Sequence, residues 1–458
     1  MTTAPQPQPG SSPAMPSDSA PTGRDAASAT PRLQVALDFL ILERALGVAA
    51  EAVAGGVDIL EVGTPLLKSA GLDAVRALRE RFPGIPVVAD TKTMDAGRTE
   101  MEMASKAGAS FATVLALASN STVRECVEVG RNYGIEVVVD LVGHPDPVGR
   151  AKEVEALGAT AVGVHCPIDQ QMLGQDPFDT LRAVRAAVDI TVCVAGGITV
   201  DTAGTAAAAG ADIVIVGGSI SKAEDAAAAT SALRDALRSG GSSGSTSGAF
   251  KRYGPDQLRE AFAKVSTPNV SDAQHRGGAM DGLTPLQQGV KIAGPAVTVR
   301  TYPGDWAKPV EAIDACQPGD ILVIDAGGRP PAIWGELATE SCLQKGLAGV
   351  VIDGAIRDVD AIRALGFPAW ARHQCPNAWE PKGFGEINTP IRCGGQAVRP
   401  GDWIVADDSG LVVVPQEKAQ EVANRALDVF EGENRVRREI KAGSTLAEVA
   451  QLYKWEKK

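Results

Sequence analysis

Between Pro31 and Arg238 the apolar residues come in short, largely continuous runs rather than in strict alternation. The runs are Leu33–Leu37, Val57–Val62, Pro86–Ala89, Phe111–Leu115, Glu136–Val139, Ala161–Val164, Ile190–Val194 and Ile213–Val216. Val/Ile-rich runs of this kind predict strands buried on both faces of a parallel sheet. Between them lie segments of helical composition and spacing, among them Glu43–Ala54, Gly71–Arg81, Arg98–Ala107 and Asp201–Ala209, with a last one at Asp225–Arg238. Eight strands, seven crossovers and a closing helix is the count of a TIM (β/α)8 barrel. A doubly wound sheet is the alternative, because strand order is not visible in a linear pattern.

The pattern changes after Ser239. The stretch Ser239–Gly248 holds only Gly, Ser and one Thr, which cannot be buried and predicts a flexible linker. From Phe250 a helical segment is followed by strand-like runs at Ala296–Arg300, Ile321–Ile324, Gly349–Asp353, Ala369–Trp370, Trp403–Ala406 and Gly410–Pro415. Helices are predicted at Ile333–Lys345 and Val359–Leu365, and a charged helix over Gln416–Ile440 closes the chain. This half reads as a layered α/β domain, and all six Trp lie in it. The expected organisation is a disordered Pro/Ser/Ala-rich tail over 1–31, a barrel over 32–238, a linker over 239–249 and a second domain over 250–458.

Length supports that division: 458 residues exceed what one core usually holds. With 44% hydrophobic and 22% charged residues, the balance is that of an ordinary globular protein. A net charge of −12 argues against a general nucleic-acid or anionic-membrane binder. The seven Cys are odd in number and contain no C-x-x-C, which disfavours a disulfide framework or a structural zinc site. No apolar run approaches a membrane span, and the N-terminal stretch lacks the features of a signal peptide. A cytoplasmic protein with reduced thiols is expected.

The candidate chemistry of the first half sits at the ends of the predicted strands. Asp38, Glu61, Asp90, Asp140, His165, Gly196-Gly197 and Gly217-Gly218 all fall there, and in a barrel those ends face one bowl. Any one of them alone reads best as a helix cap or loop residue; a set at almost every strand end does not. Asp90-Thr-Lys-Thr-Met-Asp95 is the densest stretch. A Lys92 ammonium held between two carboxylates could stabilise an oxyanion or deliver a proton. Glu61 and Asp90, on adjacent strands, suit Mg²⁺ or Mn²⁺ with open positions for water and substrate. The two glycine pairs after strands seven and eight suit a phosphate. A sugar phosphate passing through an enediolate fits both ends of such a bowl.

Leu33–Asp38, Glu61-Val-Gly-Thr-Pro65, Ala89–Gly97, Val138–Gly143 and Val194-Ala-Gly-Gly197 resemble the 3-hexulose-6-phosphate synthase family of the orotidine-monophosphate decarboxylase superfamily. The resemblance covers about Pro31 to Arg238. It implies Mg²⁺-dependent aldol addition of ribulose 5-phosphate to formaldehyde, with Glu61 and Asp90 on the metal. Lys92 would stabilise the enediolate, Asp38 would hold substrate hydroxyls and His165 would shuttle the proton. Asp95 would enter a neighbouring subunit's site, so the barrel should dimerise. A sister family, 3-keto-gulonate-6-phosphate decarboxylase, typically has Arg where this chain has Ile168.

In the second half the chemical centre is Gly335-Glu-Leu-Ala338 with Asp353-Gly-Ala-Ile-Arg-Asp358. The N–H groups of Gly335, Glu336, Leu337 and Ala338 would open a helix as an anion cradle. Arg357 could clamp a carboxylate through its fork, and Asp358 could hold a divalent cation through waters. Taken alone, Arg357-Asp358 reads best as a surface ion pair. Together with Val323–Gly328, Gly349–Gly354 and Asp402–Pro415, these elements resemble the 4-hydroxy-4-methyl-2-oxoglutarate aldolase family, which includes the regulator-of-ribonuclease-activity-A proteins. That resemblance, over about Phe250 to Glu439, implies Mg²⁺- or Mn²⁺-dependent pyruvate-enolate chemistry, including oxaloacetate decarboxylation, in trimers or hexamers. Glu336 stands where that family more often has Asp. The whole chain reads as a bifunctional lyase of small-molecule substrates with no organic cofactor. The alternatives are a decarboxylase in the first half, a non-catalytic binder of ribonuclease or helicase in the second, or a second half that only gathers barrels into an assembly.

Overall fold

The computed structural model describes residues 30–240 and 250–452. Most of the predicted tail and nearly all of the predicted linker lie outside the described residues.

Eight parallel strands close into a barrel in chain order. They are β1 (Arg32–Leu37), β2 (Ile59–Val62), β3 (Val87–Thr93), β4 (Phe111–Leu115), β5 (Glu136–Asp140), β6 (Ala161–His165), β7 (Thr191–Ala195) and β8 (Ile213–Val216). β1 pairs with both β2 and β8, which rules out the open doubly wound sheet. Strand residues alternate between two apolar environments, as the period of two requires. Leu60, Val87, Ala89 and Val139 pack outward under the helices. Ile59, Val88, Phe111, Val138, Ala161, Cys193 and Ile213 pack together inside the barrel. Two residues further along the same strands come Glu61, Asp90, Thr113, Asp140 and Gly163. The barrel floor is thus apolar and the layer above it polar on β2 to β5, because each of these four strands carries a polar residue in phase with its inward apolar one.

The predicted segment Gly71–Arg81 forms the helix Asp73–Arg81, and a further helix that was not anticipated, Thr64–Ala70, precedes it. They break at Gly71, whose φ of +66° favours glycine.

The second domain is a ten-stranded mixed sheet. Its main path runs Thr284–Pro285, Ala369–Gln374, Gly349–Ile356, Ile321–Asp325, Ile292–Arg300, Trp403–Asp407, Gly410–Val414 and Ala279–Met280. The central strand Ile292–Arg300 is longer than predicted. It pairs in parallel with Ile321–Asp325 and antiparallel with Trp403–Asp407. The predicted helix Ile333–Lys345 is corrected at its start. Ala332–Trp334 is a short strand against Gly349–Ile356, and the helix begins at Glu336 after an extended Gly335. A helix at Ala307–Ala315 and the hairpin of Ile391–Cys393 with Gln396–Val398 were not anticipated. Separate apolar clusters contain Trp334 with Ile352 and Phe367, and Trp370 with Val323 and Val351. A third cluster lies under the long closing helix Ala419–Lys441.

None of the described helices is long and apolar enough to cross a membrane.

Candidate active sites

The strand ends of the barrel converge on a cavity of about 530 Å³. It is lined by Asp38, Glu61, Asp90, Lys92, Asp140, His165 and both glycine pairs, so the residues spread across the sequence share one bowl. Lys92 is positioned by a local irregularity. The pairing of β3 with β4 shifts register between Ala89 and Thr93, and Lys92 takes a φ of +46°. Residues other than glycine adopt that conformation uncommonly. The Lys92 N–H donates to Thr113 Oγ1 at 2.9 Å, which pins the irregular backbone to the next strand.

From there Lys92 Nζ lies 2.9 Å from Asp90 Oδ2 and 3.0 Å from Asp140 Oδ2. Lys92 is therefore held between two carboxylates, but the second is Asp140 and not Asp95. Asp95 is exposed and accepts only a local hydrogen bond from the Ala96 N–H at 2.7 Å. It does not line its own bowl. The reason is geometric: Asp95 lies beyond the end of β3, in the turn leading to the next helix, whereas β5 brings Asp140 to the depth of Asp90. His165 completes the row, with Nδ1 3.3 Å from Asp140 Oδ2.

Charge decides what these groups can do. Burial works against the Lys92 ammonium, but Asp140 and Asp90 outweigh it and hold its pKa well above the usual lysine range. Lys92 is thus a fixed cation rather than a base. Burial also opposes the Asp140 carboxylate, but the His165 hydrogen bond and the charges of His165 and Lys92 hold it below its usual value. Glu61 is the opposite case. Burial, with Asp90 and Asp38 nearby, pushes its carboxyl up to about 8, against a hydrogen bond from Gln34 at 2.5 Å.

Three contributors were missed from sequence. Gln34 supports Glu61, while Thr64 and Thr113 donate to Asp90 at 2.5 and 2.7 Å. Gln34 left a signal, as the one polar residue inside the run Leu33–Leu37. The threonines left none, since Thr is an ordinary strand and turn residue. At the rim, Gly196 has φ +106°, and a Cβ there would lie 2.5 Å from the Cys166 carbonyl oxygen. Only glycine fits that approach.

The second site is an open cleft of about 880 Å³, lined among others by Trp306, Gly335, Glu336, Leu337, Arg357 and Asp358. The strand Gly349–Ile356 ends beside the start of the helix Glu336–Lys345, so the two halves of the motif meet as predicted. Asp358 takes φ +55°, and its Oδ2 accepts the Glu336 N–H at 3.2 Å. Any side chain at Gly335 would run into that same Oδ2. Arg357 is exposed, its Nε 3.6 Å from Asp358 Oδ2. Asp353, in contrast, is turned away from the cleft. It is buried against Arg372 Nε at 2.5 Å and the Gly394 N–H at 2.7 Å, a structural pin. Trp306 was not anticipated as a lining residue.

Among the described residues no group of three or more His, Cys, Asp or Glu is placed to hold a metal ion. Glu61 and Asp90 still suit one in their chemistry. Both are buried and face the bowl, and burial, with Asp90 and Asp38 close by, disfavours the Glu61 carboxylate, a penalty that a divalent cation would offset. Asp90 already accepts from Lys92, Thr64 and Thr113, so it would share its oxygens. Two protein oxygens leave the remaining positions to water and substrate, a common arrangement for Mg²⁺.

Comparison with known proteins matches two parts of the chain to two families. Residues 31–233 match the family described as Orotidine 5'-phosphate decarboxylase / HUMPS family, and residues 267–413 match Aldolase/RraA. The 3-hexulose-6-phosphate synthase of Mycobacterium gastri is 42% identical over 206 residues, covering 45% of this chain and 99% of that protein. The 3-keto-L-gulonate-6-phosphate decarboxylase structure from Vibrio cholerae is 29% identical, covering 46% of this chain and 98% of that one, with a TM-score of 0.41. A Streptomyces coelicolor structure, described as an unusual member of the RNase ES inhibitor RraA protein family, is 33% identical. It covers 40% of this chain and 98% of that one, with a TM-score of 0.37.

Proposed function

We propose that this chain, which belongs to the orotidine 5'-phosphate decarboxylase / HUMPS family through residues 31–233 and carries an Aldolase/RraA domain over 267–413, joins formaldehyde fixation to 2-keto-acid chemistry. The first domain is a lyase of the hexulose-phosphate synthase family. The observation that carries its specific assignment is the Asp90–Lys92–Asp140–His165 row at the mouth of an apolar-floored barrel.

In this reading the phosphate of ribulose 5-phosphate lies on the backbone of Gly196-Gly197 and Gly217-Gly218. Asp38 at the rim receives substrate hydroxyls. A base takes the proton from C1; His165, with Nδ1 engaged by Asp140, would use Nε2. The enediolate carries negative charge beside the Lys92 ammonium, which is already in place and needs no reorganisation. C1 then bonds to the formaldehyde carbon as the sugar's keto group re-forms, and the formaldehyde oxygen takes up the proton that the base removed and becomes a hydroxyl. A divalent cation on Glu61 and Asp90 would supply polarisation of the keto oxygen. Ile168 lines the bowl where the sister decarboxylases typically carry Arg, which favours the synthase reading. A coupled assay on the intact chain tests it. Formaldehyde-dependent loss of ribulose 5-phosphate supports the synthase; CO₂ release from 3-keto-gulonate 6-phosphate without formaldehyde fixation overturns it.

Glu61 gives a pH signature. A cation must displace the Glu61 proton, so Mg²⁺ affinity should rise with pH up to about 8 and then level off. The folded value lies above the ordinary 4.5, so the stabilisation is present at low pH and lost as pH rises through about 8. Thermal melts of metal-free protein should therefore fall across that window, and Mg²⁺ should remove the fall. Glu61→Gln should flatten the slope. A slope unchanged by both Mg²⁺ and the substitution would remove Glu61 from the metal site.

Asp95, exposed and outside its own bowl, is read as serving the bowl of a partner barrel. Lys92→Ala and Asp95→Ala chains should each be impaired. Mixed and re-associated, they should regain activity, because one bowl of each heterodimer has both residues. Mixtures no more active than the separate variants would place Asp95 outside the site.

In the second domain the cleft suits a 2-keto acid. The N–H groups at Gly335–Ala338 and the Arg357 fork would receive its carboxylate. Asp358, held in an uncommon backbone conformation against Gly335, would hold the divalent cation through water.

A further inference from the structure

The long helix Ala419–Lys441 belongs to the second domain by its packing. Ala419, Val422, Ala423, Ala426 and Leu427 share an apolar cluster with Phe262 and Val412. Its polar residues reach the barrel, at two of the loops that shape the bowl. The loop after β6 carries the short helix Ile168–Met172, from which Ile168 and Gln171 line the cavity. The end of that helix is held from the other domain. Asn424, fully buried, donates from Nδ2 to the Met172 carbonyl at 2.8 Å and accepts the Tyr253 N–H at 2.8 Å. Gln420 donates to the Leu173 carbonyl at 3.0 Å, and Arg425 pairs with Asp169 at 2.8 Å. Terminal carbonyls of a helix need partners from outside it; here the second domain supplies them.

The other loop follows β8. Lys222, just beyond Gly217-Gly218, pairs with Asp428 at 2.6 Å, and Asp428 is itself fixed by Arg252 at 3.1 Å. Gln420, Asn424 and Asp428 stand at intervals of four, one face of the helix. That single stripe touches the loop bearing Ile168 and Gln171 and the loop bearing the second glycine pair. Further along, Arg435 and Arg438 both pair with Glu51, which anchors the helix along the outside of the barrel.

We propose that this helix is a working part of the barrel's bowl: seating of the second domain sets the positions of the β6 and β8 loops and thereby the affinity for the sugar phosphate. The proposal rests on the synthase reading of the barrel. Asn424 is a positioning residue, since it touches loop backbone and not the cavity. A loop that must be ordered by the substrate spends binding energy on ordering, so the effect falls on KM more than on kcat.

The test uses the full chain. Asn424→Asp keeps the acceptor for Tyr253 but turns a carboxylate oxygen towards the Met172 carbonyl. KM for ribulose 5-phosphate should rise about five- to tenfold, the scale of one lost buried hydrogen bond, with kcat within about twofold. Amide hydrogen exchange over 168–175 should quicken. Exchange needs no turnover, so faster exchange in a protein without synthase activity would sink the barrel assignment and leave the positioning role standing. A folded Asn424→Asp chain with unchanged KM and unchanged loop exchange would overturn the proposal. Should that variant not fold, Arg425→Glu, which repels exposed Asp169, should raise KM about two- to threefold, and adding Asp169→Lys should restore it. An Arg425→Glu chain with unaltered KM, or no recovery in the double variant, would equally overturn it.

Discussion

Replacing Lys92 with Ala should lower formaldehyde-dependent consumption of ribulose 5-phosphate about 10²–10³-fold, the typical loss for one preorganised partner of a developing anion. The loss should fall on kcat, because the phosphate grip on the two glycine pairs is untouched. Lys92 sits 2.9 Å from Asp90 and 3.0 Å from Asp140, so its removal also leaves two buried carboxylates facing each other. Without the shared cation the two carboxylates repel one another, so the variant should gain more stability than the parent on mild acidification. Lys92→Arg tests geometry against charge. It restores the cation but not the compact ammonium that fits between the two carboxylates, and should recover only part of the rate. Steady-state kinetics with a coupled assay and thermal melts at two pH values read both effects. A Lys92→Ala chain with near-normal kcat would place the developing charge elsewhere.

Asp358→Ala should abolish nearly all cleavage of hydroxy-keto acids and decarboxylation of oxaloacetate, and with it the dependence on Mg²⁺ or Mn²⁺, while sparing the synthase reaction. The argument is local. Asp358 Oδ2 accepts the Glu336 N–H at 3.2 Å, so a residue that lines the cleft also organises the cradle. Arg357→Lys should be nearly as damaging, since an ammonium cannot reproduce a planar bidentate grip. Both substitutions lie at exposed positions, where folding should tolerate them. Wild-type chain that turns over neither class of keto acid with either metal would reverse the assignment and favour a binding role. The exposed Leu337 beside the cradle, at 78% exposure, would then mark the contact surface.

Much of the first half was legible because its signals are local. Each barrel strand is a run of neighbouring apolar residues, and each polar residue in phase with it, such as Glu61 after Ile59 or Asp90 after Val88, is placed by the period of two. The boundary at Ile333 was misplaced because Ala332–Trp334 is too short to carry a period, and Gly335, which separates strand from helix, reads like any turn glycine. The first carboxylate partner of Lys92 was legible two residues away. Its second partner was misassigned to the adjacent Asp95, when the residue that reaches it is forty-eight positions on.

By itself the sequence determined the kinds of element, their order and the residues that end each strand, since these depend on periodicity and on side-chain chemistry within a few positions. The tertiary structure alone decided which charges meet. Closing the barrel brings β3 and β5 to opposite sides of one Lys, lets β4 supply Thr113 and sets His165 against Asp140. It alone placed Asn424 on the Met172 carbonyl, 252 positions away. Contacts between residues so far apart follow from how whole elements pack their apolar faces, a property of the assembled core that no local stretch of sequence carries.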